Sequence, residues 1–197
     1  MSDLNSQALA LDRQQRELLK LVATGSKENF ALFCHDVHES LIRFVFLYTH
    51  SQHRVQEIVE DSLQTVWSSA ADYTDDARVI VWLLAIANRK SRLAIAKRDT
   101  QNANGHHCDE LHAAPNLLER SDLQPFDTLT EQLDTKHRVT IELAYYHGFS
   151  CAEISTVLDC SEWTARTALH YSQKKLHEWL NNAGAASADG LKSTGLQ

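Results

Sequence analysis

Helix breakers are scarce in this chain: 6 glycines and 2 prolines among 197 residues. β-Branched runs are also few. Together these shortages exclude a turn-rich sandwich or barrel and favour long helices. No apolar stretch approaches the ~20 residues that cross a bilayer. The opening, MSDLNSQALALDRQQRELL, has neither a basic start nor a continuous apolar core. It does not read as a signal peptide, and a cytoplasmic location is expected. The 4 cysteines, Cys34, Cys108, Cys151 and Cys160, form no CxxC pair, so buried free thiols in a reducing compartment are expected. No Ser-His-Asp set, phosphate loop or framed carboxylate pair occurs, so neither an enzyme nor a cofactor is expected. Positive charge is short as well. The formal net charge is −7, which opposes unaided binding to DNA, because non-specific affinity comes mainly from neutralising phosphates.

What the chain does have is helical periodicity. A hydrophobic fraction of 43% supplies real cores, and the length permits one large domain or two small ones. Leu11, Leu18, Leu19 and Val22 form one side of a helix over 10–24, ended by Gly25 and Ser26. A second helix over 27–49 carries Phe30, Phe33, Val37, Leu41, Phe44, Val45 and Tyr48. A third over 53–71 carries Val55, Ile58, Val59, Leu63, Val66 and Trp67. After a polar loop, Asp72 to Ala77, a fourth begins near Arg78 with Val79, Trp82, Leu83 and Ile86. Its continuation is basic, with Arg89, Lys90, Arg92, Lys97 and Arg98 and no acid among them. Periodicity fades over residues 100–125, which read as a linker. It resumes at 126 with Phe126, Leu129, Leu133, Ile141, Leu143 and Tyr145. The expected class is all-α: two small helical domains, 10–99 and 126–180, joined by a flexible linker, with a disordered tail over 181–197.

Residues 148–180, GFSCAEISTVLDCSEWTARTALHYSQKKLHEWL, read as two helices joined by a tight turn, the layout of a helix-turn-helix whose second helix enters the DNA major groove. Ser150 and Glu153 have capping-box spacing. Asp159 and Cys160 fall in the turn, and Ser161 is placed to cap the next helix. Ala165, Ala168, Leu169, Ser172 and Leu176 then share an inner face. Glu162, Trp163, Arg166, Thr167 and His170 lie opposite.

The two halves together resemble a sigma-70-type RNA polymerase sigma factor of the extracytoplasmic-function (ECF) group. LLKLVATGSKENFALFCHDVHESLIRFV resembles the group's opening helices, EIVEDSLQTVW its polymerase-binding helix, and VWLLAIANRKSRLAIAKR its promoter-melting and −10-reading helix. LDTKHRVTIELAYYHGFSCAEISTVLDCSEWTARTALHYSQKKL resembles its −35-reading domain. The resemblance implies a reversible subunit that binds core RNA polymerase, at the clamp and flap of the large subunits, and directs it to promoter DNA. Under it, Glu57, Glu60, Asp61 and Gln64 would meet polymerase. Arg89, Lys90, Arg92, Lys97 and Arg98 would contact the −10 region. Arg166, Thr167 and His170 would reach bases or phosphates, and Lys174 and Lys175 phosphates. The loop at 72–77 would receive a flipped-out base, and Trp82 is expected to pack in the core rather than stack on DNA. The linker fits: about 25 residues reach roughly 80 Å stretched but only about 28 Å as a free coil. Elements ~17 base pairs apart lie about 58 Å apart, so a scaffold must hold the linker extended.

The sequence also departs from the group. Where its polymerase-binding helix opens with an acidic cluster like Asp-Ala-Glu-Asp, this chain has Arg54, Val55, Gln56 and Glu57. Such a charge deficit weakens association. A phosphate, adding about −1.5 to −2, would restore it, with Ser51, Ser62 and Thr65 as candidate sites and Thr49 a weaker one. Control by a Ser/Thr kinase and control by an anti-sigma factor both stay open. In the recognition helix, Ala168 stands where an arginine is common and Tyr171 where a basic residue is usual, so a weak −35 contact is expected. Among 11 histidines, His35 and His38 adjoin Cys34, and His106, His107 and His112 adjoin Cys108. Solvated histidines and a core thiol are expected there, not a metal site. Two other readings remain: a stand-alone helix-turn-helix regulator, which the −7 charge opposes, and a sigma-like module that sequesters a partner.

Overall fold

The computed structural model describes residues 2–49, 51–103 and 133–190, with side chains over 9–49, 51–97 and 133–181. Among the described residues the main elements are seven α-helices: α1 (Ser2–Ala23), α2 (Lys27–Phe46), α3 (Gln52–Ser69), α4 (Val79–Ala103), α5 (Thr135–Tyr145), α6 (Cys151–Leu158) and α7 (Glu162–Gly190). A single 3-10 turn, Ala70–Asp72, follows α3. No strand occurs among the described residues. The chain divides into two compact units, one carrying α1–α4 and the other α5–α7, apart from residues 155–159, which group with the first.

In the first unit α2 is the central element, packed against α1, α3 and α4. Its stripe Phe33, Val37, Leu41, Phe44 and Val45 is buried, as the three- and four-residue spacing requires. Each such side chain contributes roughly 1.5–3 kcal/mol on leaving water. Val55, Ile58, Val59 and Val66 of α3 and Val79, Val81, Leu83, Leu84 and Ala87 of α4 complete the core. Trp67 sits edge-on to Phe30, ring centroids 5.0 Å apart. The turn between α1 and α2 follows from two residues. Gly25 takes φ +87°, a left-handed conformation costly for other residues, and lets the Ser26 N–H reach the Leu21 carbonyl. The Ser26 hydroxyl then accepts from the Asn29 N–H, capping α2.

Several expectations need correction. Leu11 is 46% exposed; the buried side of α1 is Asp12, Gln15, Leu19 and Val22. Gln15 is accommodated because it donates to Asp36 on α2 at 2.9 Å. Tyr145, expected inside, is 61% exposed at the end of α5. α1 starts at Ser2, α4 continues to Ala103 and α7 to Gly190, each past the expected bounds, because the flanking alanines and leucines carry helix propensity. Residues 104–132, most of the expected linker with Phe126 and Leu129, and residues 191–197 lie outside the described residues.

Candidate nucleic-acid interface

In the second unit, Asp134 opens α5, its carboxylate accepting from the His137 N–H. Partial burial pushes that carboxyl up. The backbone and ring bonds from His137 outweigh this and hold it below the usual carboxylate range. Gly148, at φ +63°, turns the chain out of α5, and the Phe149 N–H closes on the Leu143 carbonyl at 2.9 Å. The capping box then forms as spaced: Ser150 N–H donates to Glu153 at 2.9 Å and Glu153 N–H to the Ser150 hydroxyl at 3.3 Å. Asp159 takes φ +53° in the turn, and the Ser161 hydroxyl accepts from the Thr164 N–H at 3.1 Å to start α7.

The inner face of α7 is Ala165, Ala168 and Ser172, all buried. These small side chains bring it close to α5, where the Ser172 hydroxyl reaches the His137 carbonyl at 3.4 Å. The outer face presents Glu162, Trp163, Arg166, Thr167 and His170, all exposed. Trp163 is 74% exposed, the most open large apolar side chain on this face. Arg166 pairs with Glu162 at 2.8 Å, and Lys174 and Lys175 lie 4.0 and 3.5 Å from Glu178. Such exposed pairs hold well under about 1 kcal/mol, so phosphates can displace them. His170 lines an open groove with Tyr145, Gln173, Lys174, His177 and Leu180. Two departures from the group's pattern acquire a physical meaning. Ala168 faces inward, so an arginine there would have to leave the core. Tyr171 stacks on His137 at 4.6 Å, with Lys175 Nζ 5.7 Å from its ring centre.

In the first unit, Glu57, Glu60, Asp61 and Gln64 share the exposed face of α3, opposite its buried stripe. Gln56 donates to Glu60 at 3.0 Å. On α4, Arg89, Arg92 and Lys97 are exposed, and Leu93 is exposed between them. The Arg98 side chain lies outside the described residues. Lys90 is only partly exposed and pairs with Asp61 at 2.9 Å, tying the basic helix to the acidic one.

The loop between α3 and α4 is more ordered than its polar sequence suggests. Tyr73 folds back so that its hydroxyl donates to the Ala77 carbonyl. Trp82 is half-buried and packs edge-on to Tyr73, centroids 5.3 Å apart. From α1, Arg16 Nη1 donates to the Asp75 carboxylate at 2.8 Å and to its carbonyl at 3.2 Å, while Nη2 donates to the Ala77 carbonyl at 3.2 Å. Asp12 accepts from Arg16 Nε at 2.7 Å and from the Val79 N–H at 2.9 Å. The hydrogen bond with Asp12 raises the Arg16 pKa further above neutrality.

The candidate phosphosites separate sharply. Ser62 is fully buried, its hydroxyl donating to the Ile58 carbonyl at 2.7 Å. A kinase cannot reach it and a phosphate cannot fit there, so Ser62 is not a phosphosite in this fold. Ser51 opens α3 and Thr65 lies a turn beyond Asp61, both partly exposed. Among the histidines with Cys34, His35 and His38 face solvent, and burial pushes the Cys34 thiol up. No cluster of three metal-ligating side chains occurs among the described residues. His106, His107, Cys108 and His112 lie outside them. No described helix is long and apolar enough to cross a membrane.

Comparison with known proteins points in one direction. Residues 123–176 match the family described as "Sigma-70, region 4". Over 162 residues the chain is 27% identical to the ECF RNA polymerase sigma factor SigL of Mycobacterium tuberculosis, covering 76% of this chain and 88% of that one. It is 26% identical over 177 residues to the ECF RNA polymerase sigma factor SigK of Mycobacterium ulcerans, covering 83% and 92%. The chain is similar to sigma-70-type factors of the ECF group, and its residues 123–176 match their region 4. Its fold is that of CnrH, solved in complex with the cytosolic domain of CnrY (TM-score 0.63, 20% identity, 86% of this chain and 98% of that one). It is also that of the sigma factor RpoE from Bartonella quintana, solved with the anti-sigma factor NepR (TM-score 0.62, 20% identity, 78% and 98%).

Sequence reasoning missed two residues of this chain, Asp12 and Arg16. Their spacing of four reads locally as an ordinary surface ion pair. Their other partners, Asp75 and Val79, lie 59 and 67 residues away. No local pattern carries that information.

Proposed function

We propose that this chain is an ECF-type sigma factor that binds core RNA polymerase through the acidic face of α3, engages the −10 region with α4, and reads the −35 element with α7. The observation that carries this reading is the arrangement in the first unit. An exposed acidic stripe, Glu57, Glu60 and Asp61, lies beside an exposed basic helix, Arg89, Arg92 and Lys97. Opposite charge on adjacent helices suits two different partners, one basic and one made of phosphates. The net charge of −7 then has a rationale: polymerase, not this chain, supplies most of the affinity for DNA.

Control follows from the same face. The first turn of α3 holds no acid, and Ser51 stands at its N-terminus, where the helix dipole favours negative charge. A phosphate on Ser51 or Thr65 would enlarge the acidic stripe and strengthen polymerase binding. An anti-sigma factor covering these helices is the alternative control, favoured by the RpoE–NepR complex among the structural relatives.

The test is co-elution of the purified protein with core RNA polymerase, beside a gel shift with DNA alone. The expected result is a complex with core that E57K/E60K weakens at least about tenfold, the scale of losing one charged contact, and no specific shift without core. Specific binding to DNA alone would make the protein a stand-alone regulator. Tighter core binding by S51D or T65D supports the phosphate switch, and unchanged binding removes it.

A further inference from the structure

We propose that Asp12 and Arg16 of α1 are positioning residues for strand separation: they hold the 73–78 loop preformed in the shape that receives an unstacked promoter base. The proposal rests on the sigma-factor reading above and deepens it.

A loop of small and acidic residues between two helices is ordinarily mobile. Here Arg16 fixes it at three points, with its guanidinium on two loop carbonyls and one loop carboxylate. Asp12 orients that guanidinium, and its side chain is only 10% exposed. Its second oxygen holds the Val79 N–H, one of the amides that the start of α4 leaves without an intrahelical partner. One carboxylate therefore sets both the Arg16 fork and the beginning of α4. Tyr73 closes the loop on itself, and Trp82 of α4 supports Tyr73. Thr74, Asp75 and Asp76 are left facing solvent.

Two consequences follow. Unstacking a base costs a few kcal/mol, and a receptor already in its binding shape adds no ordering cost of its own. The loop and the turn before it also carry Asp72, Asp75 and Asp76, which repel phosphates. Arg16 offsets one of those charges directly.

The test uses complete holoenzyme, reconstituted from core RNA polymerase and the full chain, on a promoter series in which each non-template base of the −10 element is replaced in turn by an abasic site. With the wild-type chain, one abasic position is expected to reduce open complexes strongly. R16Q is expected to reduce them about tenfold on the intact promoter, the size of losing a charge-assisted hydrogen bond, with no further loss at that same position. R16K keeps the charge but lacks the fork, and is expected to behave as R16Q does. Core affinity is expected to stay unchanged for both, because the acidic face of α3 is untouched. D75A removes one of the three points, leaving the Arg16 bonds to the two carbonyls, and serves if R16Q unfolds, with a partial loss of base dependence expected. The proposal is overturned if R16Q, or D75A in its place, keeps the wild-type penalty at every abasic position. It is equally overturned if R16K restores full opening. No open complex with the wild-type chain at a promoter active in cells would overturn the sigma-factor reading itself.

Discussion

Ser62 and Trp163 show how far one helical step separates a structural side chain from an accessible one. Ser62 sits in the buried stripe Val55, Ile58, Val59, Ser62 and Val66 at helical spacing. The hydroxyl invited a regulatory reading, while the period of α3 assigned it to the core. S62D therefore buries a carboxylate with no partner and is expected to cost several kcal/mol, seen as loss of the cooperative urea transition. S51D and T65D are expected to unfold at the wild-type midpoint. Trp163 is the opposite case. At 74% exposure it contributes little to the core, so W163A is expected to leave stability within about 0.5 kcal/mol. On the proposed function it weakens promoter binding by holoenzyme, and a filter-binding titration measures this.

At the level of elements, the helix-turn-helix was legible almost residue by residue, because caps and turns are written in local chemistry. Ser150, Glu153, Asp159 and Ser161 each do what their spacing implied. S150A is expected to cost about 1 kcal/mol of unfolding free energy in urea. G148A is expected to cost about 1–2 kcal/mol, the strain of a left-handed alanine, since an added Cβ meets nothing within 4 Å. At Asp134 the folded pKa is depressed. Its stabilisation is therefore complete above the unfolded value of about 3.9 and is lost as pH falls below that through the folded value. D134N, which keeps an acceptor but no titrating group, is expected to abolish this part of the acid dependence in urea titrations from pH 5 to 2. By contrast, α1 was misjudged. Its leucines suggested one face, while burial of Asp12 and Gln15 depends on Val79 and Asp36, partners on distant helices. Polar burial satisfied across a fold leaves no local periodic trace.

For the whole molecule, charge is the organising fact. An acidic chain carries Arg89, Arg92 and Lys97 exposed on α4, Arg166, Lys174 and Lys175 exposed on α7, and an exposed acidic stripe on α3. That pattern is consistent with a subunit that borrows its grip on DNA from a larger enzyme. The all-helical class was legible because both halves keep helical period over most of their length, and the ECF resemblance because stretches such as EIVEDSLQTVW and VWLLAIANRKSRLAIAKR stand in the group's order. The loop clamp was not, since it exists only once α1 lies against α4. The most direct measurement is run-off transcription with core RNA polymerase at a promoter that responds to this protein in cells, with the wild-type chain beside S51D and T65D. Transcripts that depend on adding the chain, from the wild type or from a charged variant alone, are the predicted result. Silence from all three, with core fully active when given another sigma factor, would contradict the account and leave a sigma-like module that sequesters a partner.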